Sequence, residues 1–75
     1  MWKLINSYSL RWNPINNNGG IWLKYDDGEM QFIPMISAIE LSALGDILRY
    51  EKPVWYHTGL NDFSTGWEPT GEEEN

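Results

Sequence analysis

Residues 36–53, ISAIELSALGDILRYEKP, decide how the chain is read, because the helical signals gather there. Ser37 and Glu40 have the S-x-x-E spacing of a capping box, in which the hydroxyl and the carboxylate each accept a backbone N–H at the helix start. Ile36 and Leu41 flank that cap at the spacing of a hydrophobic staple. Pro53 closes the stretch, since proline disfavours helical geometry in the residue before it. The segments on either side read as strand or turn, so this helix is what the strands must cover.

The helix has a wide apolar face. At ~100° per residue, Ile39, Tyr50, Ala43, Ile47, Leu44, Leu48 and Leu41 spread over roughly 200°. Ser42, Arg49, Gly45 and Asp46 fill the remaining arc. A helix lying on one sheet needs a stripe of little more than ~100°, and the excess points to a second partner. The expectation is a homo-oligomer, most simply a twofold dimer, with Ile39, Ala43, Ile47 and Tyr50 near the contact. Leu41, Leu44 and Leu48 should then face the chain's own sheet.

Working outward toward the N-terminus, Met30–Met35 and Ile21–Tyr25 flank Asp26-Asp27-Gly28-Glu29. Asp-Gly between two alternating runs signals a two-residue hairpin turn. That turn would pair Tyr25 with Met30, Leu23 with Phe32 and Ile21 with Pro34 on one face. Trp22 and Lys24 would lie on the other, opposite Ile33 and Gln31. Pro34 cannot donate to a ladder, which places it at a strand end or sheet edge. Residues 15–20, INNNGG, form a turn-rich loop after Asn13-Pro14. From Trp2 to Trp12 the even positions are mostly apolar (Trp2, Leu4, Tyr8, Leu10, Trp12) and the odd ones mostly polar, which predicts a half-buried strand.

Beyond the helix, Val54–Thr58 and Phe63–Trp67 read as a second hairpin around Gly59-Leu60-Asn61-Asp62. In the register favoured by the pattern, Trp55 covers Gly66 and His57 faces Ser64. Val54, Tyr56, Phe63, Thr65 and Trp67 make the opposite face. The fold class expected is α+β, a small antiparallel sheet in the order β-β-β-α-β-β with one helix packed across it. Residues 1–67 form the single domain. Residues 68–75, EPTGEEEN, carry acids, Pro and Gly with nothing to bury, and read as a mobile tail.

Seventy-five residues without a cysteine lie near the lower size at which one core supports itself, and neither disulfides nor thiolate metal sites are open to it. Five tryptophans and four tyrosines supply burial instead. No run approaches the ~20 apolar residues of a membrane span, and the N-terminus lacks the pattern of a signal peptide, so the expected location is cytoplasmic. The net charge of −6 is unevenly spread. Residues 1–25 carry Lys3, Arg11 and Lys24 and no acid, whereas residues 26–75 hold all eleven acids against Arg49 and Lys52. The global balance disfavours nucleic acid and anionic lipid, but leaves room for a local positive face on the first strands.

Catalytic chemistry finds little support. His57, Ser64 and Asp62 could be written as a triad, but nothing supplies a nucleophile elbow or a pocket. The carboxylates of Asp26, Asp27 and Glu29 belong to a tight turn and lack calcium-loop spacing. No catalytic residue, metal ligand or cofactor site is assigned. The remaining signal is aromatic: Trp22 beside Lys24, with Lys3 and Arg11 on the polar side of the first strand. Aromatics and cations on an open sheet stack unpaired bases while holding phosphates.

The segment LGDILRYEKPVWYHTG followed by STGWEPTGEEE resembles a widespread family of small uncharacterised bacterial proteins. Their helix ends close to LLRNEKPVY and their chain closes close to TxPEPVGEGE. The matching residues are Asp46, Ile47, Leu48, Arg49, Glu51, Lys52, Pro53, Val54 and Tyr56, then Glu68, Pro69, Gly71 and Glu72. Tyr50 stands where that pattern has asparagine, Trp55 precedes the tyrosine, and Thr70 replaces a valine. The resemblance covers roughly the last third of the chain. It implies a bacterial protein, brings no activity with it, and suggests that Arg49, Glu51, Lys52 and the tail have a role beyond solvated surface. The expected function is a non-enzymatic protein-interaction or self-assembly domain. A single-stranded nucleic-acid binder using Lys3, Arg11, Trp22 and Lys24 is the alternative. An acidic inhibitor carried by a phage or plasmid is a further one.

Overall fold

A computed structural model describes residues 1–67. The segment read as an acidic tail, 68–75, lies outside the described residues. Five strands, β1 (Trp2–Asn13), β2 (Asn18–Tyr25), β3 (Met30–Met35), β4 (Val54–His57) and β5 (Asp62–Thr65), form one sheet, with the helix α1 (Ala38–Tyr50) between β3 and β4 in sequence. The sheet order is β3-β2-β1-β4-β5 and every pairing is antiparallel. This is the α+β architecture the sequence implies. Among the described residues no helix is long and apolar enough to cross a membrane.

The helix begins at its expected cap: Ser37 Oγ accepts the Glu40 N–H at 3.2 Å. Ile36 is exposed, however, and staples nothing. The helix ends at Tyr50, where Glu51 turns extended and donates its N–H to the Ile47 carbonyl. Leu41 and Leu48 are buried against the sheet and Leu44 packs beside them, as the apolar arc implies. Gly45 lets the helix backbone approach Leu10, whose Cδ1 lies 2.9 Å from where a Cβ would stand. The core joins these leucines to Ile21, Leu23, Tyr25, Val54 and Tyr56. Each fully buried aliphatic side chain among them stabilises the fold by ~1.5–3 kcal/mol.

Two hairpin registers and the alternation of one strand differ from the sequence expectation. In the β2–β3 hairpin, the Tyr25 carbonyl accepts the Gly28 N–H (3.0 Å) and the Tyr25 N–H donates to the Glu29 carbonyl (2.8 Å). Gly28 has φ +91, whereas neither aspartate has positive φ. The turn is therefore a three-residue loop with Gly28 as the left-handed bulge residue, not the two-residue turn in which both central residues take positive φ. The extra residue slips the register by one: Trp22 pairs with Phe32, Leu23 with Gln31 and Ile21 with Ile33. A one-residue slip exchanges faces, so Phe32 and Met30 leave the core side and Gln31 enters it. There Gln31 Oε1 accepts the Tyr25 hydroxyl at 2.6 Å. Pro34 sits on the sheet's edge strand, as its missing N–H requires.

Strand β1 contains the second difference. Its ladder to β2 passes from Ile5↔Tyr25 directly to Ser7↔Lys24, which leaves Asn6 as an extra residue. The bulge reverses the alternation. Tyr8, Leu10 and Trp12 pack toward the helix, as the even-position pattern implies, but so does Ile5. Trp2 and Leu4 consequently lie on the helix-free face, opposite His57 and Trp55 of β4. In the last hairpin the register is shifted by two, pairing Trp55 with Ser64 and His57 with Asp62. A shift of two keeps the faces, and Val54, Tyr56 and Phe63 remain on the core side. Gly66 lies against Pro53 rather than under Trp55.

Candidate binding surface

One face of the sheet carries the helix and the other is open. Along β1, β2 and β3 the pairing places Ser7, Ser9 and Arg11 beside Lys24, Trp22 and Gly20, which in turn pair with Met30, Phe32 and Pro34. Trp22, 39 % exposed, and Phe32 have ring centroids 5.2 Å apart at an interplanar angle of 49°. Phe32 leans over Gly20, whose missing side chain makes the room: a Cβ there would stand 2.5 Å from the ring. Arg11, Trp22 and Lys24 are thus brought to one surface. Among the described residues neither Arg11 nor Lys24 is engaged in an ion pair.

Lys3, the fourth residue singled out with them, is elsewhere. The bulge at Asn6 puts it on the helix side, over the Tyr25 ring at 5.3 Å. Its Nζ bonds Asp27 Oδ2 at 2.9 Å and also Glu29 Oε1. Those hydrogen bonds, Glu29 first and Asp27 second, push the Lys3 pKa up to about 12. Asp27 is held below its ordinary value by Lys3 and by the Glu29 N–H. Lys3 is therefore a neutralised strut that draws two turn carboxylates toward the helix side.

The open face continues past the bulge. Trp2 meets His57 edge-on at 4.9 Å, and Trp2, Trp55, Ser64, Thr65, Gly66 and Trp67 line an open cleft of about 750 Å³. Sequence alternation alone puts Trp2 and Phe32 in the core. The available signals were Asn6 in an apolar row and Ile5 in a polar one.

The catalytic constellation is not assembled. His57 Nδ1 accepts the N–H groups of Gly59 and Leu60, each at 3.0 Å, and so fastens the β4–β5 turn. The Ser64 hydroxyl donates to the Thr65 carbonyl at 3.1 Å, and Asp62, not Ser64, lies across from His57. Tyr56 donates to Asn61 Oδ1 at 2.9 Å in the same turn, and burial raises its pKa.

On the helix, Ile39 (83 % exposed), Ala43 and Tyr50 (73 % exposed) form an outward stripe. Ile47, grouped with them from the sequence, instead is half-buried and packs against the chain's own core. Arg49, Glu51 and Lys52, the residues singled out by the resemblance, line a second cleft between the helix C-terminus and β1. Arg49 lies over the Tyr50 ring at 5.7 Å.

Compared with known proteins, the chain matches no family model, no curated protein and no solved structure. The fold and its surfaces define an α+β domain with an aromatic open sheet face and a separate apolar helix stripe.

Proposed function

We propose that the chain is a non-enzymatic bacterial binding domain that works as a twofold homodimer. The helix stripe of Ile39, Ala43 and Tyr50 joins two copies, and the open sheet face is the working surface. The supporting observation is that large apolar side chains stay exposed on two opposite surfaces: Ile36, Ile39 and Tyr50 on the helix side, and Trp2, Trp22 and Phe32 on the sheet. Monomers seldom leave contiguous apolar patches uncovered. A domain this small without disulfides gains stability by pairing, and a twofold contact is the commonest closed arrangement. The only histidine is committed to its turn, which favours binding over catalysis.

Sedimentation equilibrium over a wide concentration range tests the assembly. Wild type is expected as a dimer, and Ile39→Glu as a folded monomer, because Ile39 contributes nothing to the monomer core. A well-folded wild-type monomer at every concentration overturns the pairing. Loss of the dimer in Trp22→Ser but not in Ile39→Glu would move the contact to the sheet.

A further inference from the structure

The open sheet face is the helix-free surface on which the proposed function rests, and its occupant can be named from its chemistry. From the charge and ring placement there, we infer that the face binds single-stranded nucleic acid: Trp22, Phe32, Trp2 and Trp55 stack bases, and Arg11 and Lys24 hold phosphates. Base–aromatic stacking is tolerant of sequence, and cations beside the rings complete such a platform.

Charge complementarity selects this occupant over a second copy of the chain. On β1–β3 the open face has two cations and, among the described residues, no carboxylate within the strands, and on β4–β5 it carries Asp62 opposite His57. Lys24 lies two residues beyond Trp22 on β2, and Arg11 lies opposite Gly20, two residues before it. At about 3.4 Å per residue the cations are separated by about 14 Å along β2, the reach of about four stacked phosphates. Of the three acids of the adjoining turn, Asp27 and Glu29 are bonded to Lys3 on the helix side, while Asp26 donates its N–H to the Leu4 carbonyl at the end of β2 beyond Lys24. A second copy stacked over β1–β3 would set Arg11 and Lys24 against strands that carry no acid. Duplex is a poor fit, because its bases are already stacked on each other and closed to the rings.

The experiment is a tryptophan-fluorescence titration with oligothymidylate and oligouridylate of about 12 nucleotides, and with a duplex of equal length. Both single strands are expected to quench the fluorescence, and duplex to bind far less well. With two phosphate contacts per chain, the slope of log K against log salt is expected near −1.4, about a 7-fold loss from 50 to 200 mM. Lys24→Ala should halve that slope. Trp22→Ala should weaken binding by about 5- to 150-fold with the circular-dichroism spectrum unchanged, since Trp22 lies on the surface. Lys52→Glu, on the helix side, changes charge by as much as Lys24→Glu and should bind like wild type. Absence of quenching by either single strand at low salt overturns the inference. Equal losses from Lys52→Glu and Lys24→Glu would reduce the effect to unspecific attraction and overturn it as well. Neither result touches the dimer, which sedimentation reads independently.

Discussion

Deleting Asn6 tests the β1 bulge on which the composition of the open face depends. In the wild type Ile5 pairs with Tyr25 and Ser7 with Lys24, so Asn6 has no counterpart on β2. Its removal turns the bulge into regular ladder and leaves every other side chain on its present face. The expected stability is within about 1 kcal/mol of wild type, the only loss being the local twist a bulge supplies. Deleting Ser9 instead closes the same bulge at a different cost. With Leu10 still opposite Ile21 and Ile5 opposite Tyr25, Tyr8 must move to the open face and Ser7 must turn inward against Leu23. Losing the packing of the Tyr8 ring costs about 1.5–3 kcal/mol, and placing a hydroxyl in the core costs about 1–3 kcal/mol more. A chain of this length is stable by about 4–11 kcal/mol, so the Ser9 deletion should be largely unfolded or close to it. Urea melts followed by far-UV circular dichroism separate the two: at a slope of about 1 kcal/mol per molar, the Ser9 deletion loses about 3 M or more of midpoint. Equal damage from the two deletions would refute the bulge assignment, as Asn6 would then be an integral member of the ladder.

Two further predictions concern charge and core. The depressed Asp27 carboxyl contributes stability above its ordinary pKa of 3.8 that is lost as pH falls through the folded-state value, and Lys3 contributes stability below 10.5 that is lost as pH rises through about 12. Lys3→Met should therefore flatten the urea midpoint against pH at both extremes, and unchanged curvature would mean the pairing is not formed in solution. Leu23→Ala, at a fully buried position in β2, should lower stability by about 2–5 kcal/mol in the same melts, and a loss under about 1 kcal/mol would place Leu23 outside the core.

Element identity was legible in the sequence, whereas register was not, and the reason is local. The serine cap, the proline after the helix and the alternating runs are chemical signals confined to a few residues, and each marked an element the structure contains. Registers hang on turn geometry. Asp27-Gly28 is compatible with a two-residue turn and with a three-residue loop, and only the single positive φ at Gly28 separates them. The bulge was harder still, because an extra residue inside a strand leaves the apolar pattern on either side intact. Arg11, Trp22 and Lys24 share a face as parity implies, since their pairings all lie on the same side of the Asn6 bulge. Lys3 was misplaced because it lies on the other side of it, and Trp2 and Phe32 were missed because each depends on one inserted residue.

Those two insertions act in the same direction. Regular alternation would put Trp2 and Phe32 into the core and send Lys3 and Ile5 to the open surface. The bulge at Asn6 and the loop at Gly28 each shift one residue, and together they deliver two more aromatic rings to the helix-free face. The same Asn6 shift brings Lys3 within reach of Asp27 and Glu29, so two of the turn's three acids are held on the opposite side. A core seeking only maximal burial would keep both rings inside, at about 1.5–3 kcal/mol each. Under the proposed function that burial is given up for binding, and the two residues that cause it are the ones to delete or replace first.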